Sequence, residues 1–342
     1  MNESVSTARI VAPLSSFSEL EPLARAGADE IYCGALPPQW TADYGSSDTL
    51  TRRQGTVANV ASTDELMEIA RSAPLAGVRS ALTLNVRYTR EQRANVIALA
   101  EQWGRAGGDA VIVSDLALLL ALNERGVRGV RHLSILADAA NHRAIAFFRR
   151  LGVTRVVFPR WLTIQGMKEA ARHDPACQYG AIVLNDRCEF IDGMCGFYHG
   201  TAYPAGAATH FACAAASPDS MPRIACHDPA YAGHGCQLPF CTSSGQAVVH
   251  QPRDDARRPA CAACALPRLL RAGVHHLKIS GRGLPTALKL RAVRYMRTAL
   301  DAINTCDDVA DRTAQLRDSY CRTFGTPCHD GTSCYYAGAG LP

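Results

Sequence analysis

The chain has 342 residues, 47% of them hydrophobic, and a formal net charge of +5. That is enough for one large domain or two small ones, and no apolar run reaches the roughly 18 residues of a membrane-spanning helix. The basic residues are scattered, with Arg-Arg pairs at 52–53, 149–150 and 257–258, which is weak support for nucleic-acid binding.

Residues 1–9 are polar and lack the apolar centre of a signal peptide. The expectation is a cytoplasmic protein, a setting in which clustered thiols bind metal more often than they pair as disulfides. A strand–helix rhythm then begins. Residues 9–14 form a short apolar strand, and Ser15, Ser16 and Ser18 offer capping hydroxyls to a helix over 19–26 that Gly27 closes. Residues 30–34 make the next strand. The strand 78–85 is followed by a helix over 89–105, the strand 109–115 by a helix over 116–125, and the strand 132–138 by a helix over 141–151. The strand 154–160 precedes a helix over 164–173, and 178–185 is a further strand. Residues 186–265 are rich in Cys, Gly, Ala, Pro and His and show no helical period. Regular structure resumes over 266–273, then a strand over 276–280 and a helix over 284–303. Residues 304–342 read as a C-terminal tail.

Continuous apolar strands alternating with amphipathic helices imply a parallel sheet covered on both faces. About eight such units, with no Gly-x-Gly-x-x-Gly after the first strand, favour a TIM-type (β/α) barrel over a Rossmann sheet. The barrel domain is predicted over 1–303, with the cysteine-rich insert 186–265 near the C-terminal ends of the strands. Functional residues of a barrel gather at those ends. The residues there are Asn85, Asp115, Asp138, Arg160, Asn185, Asp186 and the segment 278–282.

Fourteen cysteines are present. Cys188, Cys195, Cys213, Cys226, Cys236, Cys241, Cys261 and Cys264 crowd into or beside the insert. Four thiolates hold zinc or an iron–sulfur cluster. Structural zinc usually uses two close pairs, and the insert offers only Cys261-x2-Cys264, with Cys236-x4-Cys241 looser. A cluster fed from separate loops tolerates the wider Cys188-x6-Cys195 spacing better. The competing reading is a set of inert buried thiols. His199, His210, His227 and His234 are further donors in the same stretch. Cys33 ends a strand and reads as a small packed hydrophobe. In the tail, Cys321, Cys328 and Cys334 offer a second candidate metal group. Neither a Gly-x-Ser-x-Gly elbow nor a His-Glu-x-x-His helix is present.

Two stretches carry a resemblance. Residues 11–19 (Val-Ala-Pro-Leu-Ser-Ser-Phe-Ser-Glu) and 26–35 (Ala-Gly-Ala-Asp-Glu-Ile-Tyr-Cys-Gly-Ala) resemble the opening of the collagenase-like peptidases of family U32. Residues 269–282 resemble that family's Lys-Ile-x-Gly-Arg block, here Lys278-Ile-Ser-Gly-Arg282, followed by a helix carrying Tyr295-Met-Arg297. Residues 84–85, 113–115 and 152–160 also fit, so the resemblance covers about 9–303. It implies a 4Fe–4S cluster on four cysteines and hydroxylation without molecular oxygen, with prephenate as the implied oxygen donor. Its ligand pattern matches Cys188 and Cys195, then Cys226 in Cys-His-Asp-Pro-Ala-Tyr, then Cys261, with Cys264 the close rival. The chain departs from the pattern at Arg160-Trp161, where the family often has Arg-Glu, and in the additional Cys213, Cys236 and Cys241.

The leading expectation is therefore an iron–sulfur hydroxylase of a small-molecule or peptide-borne substrate, with Asn85, Arg160, Lys278 and Arg282 binding substrate or donor. The cationic members have a structural alternative, pairing with carboxylates across the barrel mouth. An RNA-base hydroxylase, a peptidase as the family name implies, and a cluster-bearing subunit of a homo- or heterodimer are the alternatives. The sequence ends short of the long extensions of the RNA-modifying members, which lowers the expectation of RNA.

Overall fold

The computed structural model describes residues 8–45, 50–53, 55–185, 188, 192–195, 240–241, 247–248, 259–328 and 333–336. Its strands are β1 (Arg9–Pro13), β2 (Glu30–Cys33), β3 (Arg79–Leu84), β4 (Ala110–Val113), β5 (Val130–Leu133), β6 (Val153–Val157), β7 (Gln178–Leu184), β8 (Phe240–Cys241), β9 (Ala247–Val248) and β10 (Val274–Ile279). Eight of them close a parallel barrel in the order β1-β10-β7-β6-β5-β4-β3-β2, and β8 and β9 pair apart from it. Registers such as Ile10↔Leu277 and Tyr32↔Ala81 join the first, second, third and last barrel strands. This is the TIM-type barrel expected from the apolar runs. Most of the cysteine-rich stretch, with Cys213, Cys226, Cys236 and the four histidines, lies outside the described residues.

The helices are α1 (Leu20–Arg25), α2 (Pro38–Tyr44), α3 (Thr63–Ser72), α4 (Arg90–Arg105), α5 (Leu116–Glu124), α6 (His142–Arg150), α7 (Ile164–Ala171), α8 (Leu266–Arg271), α9 (Thr286–Thr305) and α10 (Val309–Phe324). Several begin on side-chain caps that satisfy the free N–H groups of the first turn. Asp115 accepts from Ala117 N at 2.8 Å and Leu118 N at 3.3 Å. Thr89 and Gln92 form a reciprocal capping box at α4. Helices α2 and α3 are not announced by the sequence pattern, and α10 runs through 304–342, the segment expected as a tail. Tyr320 of α10 is fully buried against Tyr295 of α9, with ring centroids 5.9 Å apart.

Side chains alternate between two cores. Ile10, Ile31, Leu82 and Val111 face the helices in the main apolar core. Val11, Tyr32, Ala81, Ala110 and Ile112 form a separate small cluster inside the barrel. The inner layer nearest the N-terminal strand ends is ionic. Arg155 Nη1 lies 2.7 and 2.8 Å from the two oxygens of Glu30, and both residues are buried. His132 and His276 line the same layer. Burial and the Arg155 charge hold His132 well below the usual imidazole range and push His276 down to about 2, so both stay neutral.

Candidate functional site

The cavity at the C-terminal ends of the strands is lined by cations from separate parts of the chain. Arg52 and Arg53 come from the segment after β2, Arg160 from the end of β6, and Lys278 and Arg282 from β10 and the turn after it. Tyr32, Thr83, Asn85 and Ser134 line it between them, and Asp192 is the one carboxylate among the described lining residues. Of the residues predicted to bind substrate, all four (Asn85, Arg160, Lys278 and Arg282) reach this cavity.

Their settings differ. Arg160 is locked to Asp192: its Nε lies 3.2 and 3.1 Å from the two carboxylate oxygens, and its backbone N donates to Oδ2 at 3.3 Å. Burial works against the Arg160 charge, but the Asp192 carboxylate outweighs it and holds the guanidinium more firmly protonated. The carboxylate facing Arg160 thus comes from Asp192, while Trp161, next in sequence, donates from Nε1 to Asp138 Oδ1 at 2.9 Å. Arg282 is buried, with Nη1 on Asn59 Oδ1 at 3.2 Å and Nη2 on Thr51 Oγ1 at 2.9 Å. Burial lowers its pKa to about 10. Gly34 permits this seat, because a Cβ there would lie 1.8 Å from Arg282 Nη1.

Lys278 is the group with tunable charge. Its ammonium sits 3.9 Å over the Tyr32 ring, and the Tyr32 hydroxyl donates to Ile279 O at 2.9 Å. Burial and the nearby Arg282 charge push its pKa down to about 7, against an opposing pull from Glu30. An amine so poised carries a proton near neutral pH and holds it more tightly when an anion enters. Asn85 has a positioning role: its Oδ1 accepts from Arg52 N at 3.1 Å and its Nδ2 donates to Ser134 Oγ at 3.2 Å. It ties the segment carrying Arg52 and Arg53 to the end of β3.

The other strand-end candidates serve the scaffold. Asp115 caps α5. Asp138 turns the chain with φ 52°. Asn185, at φ 65°, donates from Nδ2 to Ser280 O at 3.0 Å. Asp186 lies outside the described residues.

The expected metal thiols fall into two groups. Cys188 lies within electrostatic range of Arg160, and the Cys195 carbonyl accepts from Arg52 Nη2 at 2.8 Å, so both stand at the mouth. Cys226 lies outside the described residues. Cys261 bridges to Leu184 at the end of β7 and to Cys334, and it and Cys264 also neighbour other thiols of the C-terminal segment. Burial pushes the Cys261 thiol up to about 12 and Cys328 to about 11. Cys33 is fully buried, the packed hydrophobe expected. Among the described residues no group of three or more His, Cys, Asp or Glu side chains is disposed to hold a metal ion. A 4Fe–4S cluster suits the donor type found at the mouth, where Cys188 and Cys195 are both partly accessible and not joined in a disulfide.

Sequence reasoning missed Arg52, Arg53 and Asp192. Arg52-Arg53 was visible only as one of three basic pairs, and Asp192 lies inside the cysteine-rich stretch, which shows no period to place it.

A closed parallel barrel with a cation-rich C-terminal mouth defines the class: a TIM-type barrel protein whose cavity suits an anionic ligand. The chain belongs to peptidase family U32, whose family model matches residues 15–339. It is similar to the tRNA hydroxylation protein P of Escherichia coli (strain K12), 30% identical over 89 residues, 26% of this chain and 20% of that protein. It is also similar to a collagenase of Porphyromonas gingivalis, 31% identical over 141 residues, 41% of this chain and 30% of that protein. The chain thus spans a fifth to under a third of these curated relatives. A solved structure of the U32 peptidase Mk0906 aligns with 52% of this chain and 68% of its own, at 15% identity and a TM-score of 0.39. Among the described residues no helix is long and apolar enough to cross a membrane.

Proposed function

We propose that this chain is an iron–sulfur enzyme that hydroxylates a small-molecule or peptide-borne substrate without molecular oxygen, with prephenate as the oxygen donor. The observation that carries the reading is the cavity itself: Arg53, Lys278 and Arg282 line it, and the Arg160–Asp192 pair with its neighbour Cys188 stands on the same mouth. A dicarboxylate donor needs two cationic contacts at a fixed separation, and guanidinium and ammonium groups fixed on barrel strands supply them. The similarity to a tRNA hydroxylation protein supports the reaction class.

Cys188 and Cys195 would hold the cluster at the mouth, together with Cys226 and one of Cys261 and Cys264. When bound, a 4Fe–4S cluster supplies the electron-transfer chemistry of the reaction. The chain's own residues bind and orient. Arg282, held by Asn59 and Thr51, presents a fixed positive edge to a carboxylate. Lys278 Nζ holds a proton that a bound anion stabilises, and Tyr32 screens it from water. Arg160, held by Asp192, fixes the wall beside Cys188. The test is anaerobic purification with iron and sulfide analysis and a visible spectrum: iron and sulfide in equal amounts with a brown chromophore support the reading, and a chain without iron overturns it.

A second reading, an RNA-base substrate, has support in the names of two relatives, from Escherichia coli and Haemophilus influenzae, and in the basic mouth. It predicts RNA binding that weakens steeply with salt, and salt-independent or absent binding counts against it.

A further inference from the structure

The wall of the mouth cavity is rich in hydrogen-bond donors. Arg52, Arg53, Lys278 and Arg282 line it, and Asp192, the one carboxylate among the described lining residues, is taken by Arg160. The neutral polar groups of the wall are taken as well, with one exception. The Tyr32 hydroxyl donates to Ile279 O at 2.9 Å and the Ser280 hydroxyl to Leu184 O at 3.1 Å. Asn85 holds Arg52 N through Oδ1 and Ser134 Oγ through Nδ2, and Ser134 Oγ also accepts from Leu136 N at 3.3 Å. The exception is Thr83. It is 3% exposed, and its buried Oγ1 has no hydrogen-bond partner among the described residues.

Strand alternation sets the side to which Thr83 turns. Leu82 and Leu84 pack in the main core under the helices, whereas Ala81 joins the small cluster inside the barrel. Thr83 therefore shares the inner face with Ala81 and with Asn85, two places on. Its register partner on β4, Ile112, belongs to the same inner cluster, and Ile182 lines the cavity with it. A buried hydroxyl without a partner is disfavoured, because it has given up water for nothing. Valine has nearly the same shape and carries no such penalty, so the hydroxyl is explained by a partner that comes from the cavity. The apolar neighbours select what kind of oxygen that is. A carboxylate set against Ile112 would lose its water without gaining a cation, whereas a neutral carbonyl oxygen asks for one donor only. Charge is met nearer the mouth. Arg52 Nε is a second buried donor of the wall without a partner among the described residues, and Asn85 holds the Arg52 backbone. Strand β3 thus offers a neutral donor at Thr83 and, through its next inward residue, steadies a cationic one.

We propose that Thr83 determines the specificity of this cavity: its hydroxyl donates to the keto oxygen of a 2-oxo acid whose carboxylate is held by the cations of the mouth. The proposal deepens the proposed function and rests on its reading of the mouth as the seat of an anion, a requirement that prephenate, itself a 2-oxo acid, meets. A ligand without that oxygen leaves the Thr83 hydroxyl buried and unbonded, so the plain carboxylate binds less tightly. Thr83 makes and breaks no covalent bond. It selects the ligand and fixes its depth in the barrel.

The test is a calorimetric titration of the full chain, purified anaerobically, with 2-oxoglutarate and with glutarate, which differ only in the keto oxygen. The unaltered chain is expected to bind 2-oxoglutarate about tenfold more tightly. In Thr83→Val that ratio should fall towards one through loss of 2-oxoglutarate affinity, and Thr83→Ser, which keeps the hydroxyl, should keep most of it. Denaturant unfolding of the ligand-free chain gives a second reading. Thr83→Val should raise the midpoint or leave it unchanged, because the hydroxyl it removes has no partner to lose. No preference in the unaltered chain, an undiminished ratio in Thr83→Val, a ratio lost equally in Thr83→Ser, or a lowered midpoint in Thr83→Val overturns the proposal. Failure of both acids to bind at millimolar concentration overturns it too. Iron and sulfide in the same preparation report on the iron–sulfur reading separately: their absence, with the ratio present and lost in Thr83→Val, removes the cluster and leaves Thr83 in its role.

Discussion

Single residues inside the barrel divide into those that hold it and those that face the ligand. Glu30 belongs to the first kind. It gives both carboxylate oxygens to Arg155, 125 positions away, within a buried layer. Removing one partner of such a pair leaves a buried charge uncompensated, so Glu30→Ala is expected to cost about 3–5 kcal/mol, read by denaturant unfolding. A loss below about 1 kcal/mol would place that layer in contact with water. Lys278 belongs to the second kind. Its pKa is about 7 in the folded chain against an ordinary 10.5, so the unfolded chain binds more protons between those values. Its contribution to stability therefore rises with pH from about 7 towards 10.5. Ligand binding runs the other way, because a dicarboxylate needs the protonated amine. Affinity measured calorimetrically should fall above about pH 7, approaching about tenfold per pH unit, and Lys278→Met should flatten that slope while lowering affinity at pH 6. A pH slope unchanged in Lys278→Met would remove Lys278 from the site.

At the scale of elements, caps and clamps set where each strand delivers its last residue. Asp115 stands at a strand end, where functional residues of a barrel gather, yet both its oxygens go to backbone N–H groups, of Ala117, Leu118 and Tyr88. Asp115→Ala should cost about 1 kcal/mol of stability, read as a shift in unfolding midpoint, and should leave ligand affinity nearly unchanged. A large loss of affinity with little loss of stability would return Asp115 to the site. Helix α9 is clamped to the opening of the barrel by Lys289, fully buried, whose Nζ meets Ser15 Oγ at 2.7 Å and the Glu19 oxygens at 2.9 and 2.8 Å. In sequence Ser15, Ser16 and Ser18 read as helix caps. Ser16 does cap the first turn, but Ser15 and Glu19 also anchor a helix some 270 positions later, a pairing no local pattern carries.

For the whole molecule, the barrel was legible because eight apolar strand runs alternate with amphipathic helices, a periodicity that survives local ambiguity. Lys278 and Arg282 were legible because a strand end in a barrel has a known destination, and the family resemblance marked the same residues. Arg52, Arg53 and Asp192 were not, because they lie in segments without period and are set at the mouth by contacts distant in sequence, such as Arg52 with Asn85 and Cys195 and Asp192 with Arg160. The tail thiols were legible as a spacing but not as neighbours of Cys261, since the bridge between segments 260–262 and 333–336 joins parts of the chain about seventy positions apart. The mouth thus combines fixed cations with the Cys188 and Cys195 thiols, and the central claim is that those thiols help hold an iron–sulfur cluster. The most direct test is the iron and acid-labile sulfide content of the anaerobically purified chain, compared with Cys188→Ser. The account predicts matched iron and sulfide with a visible chromophore in the unaltered chain and their loss in the variant. Iron and sulfide absent from the unaltered chain, or undiminished in Cys188→Ser, would contradict it.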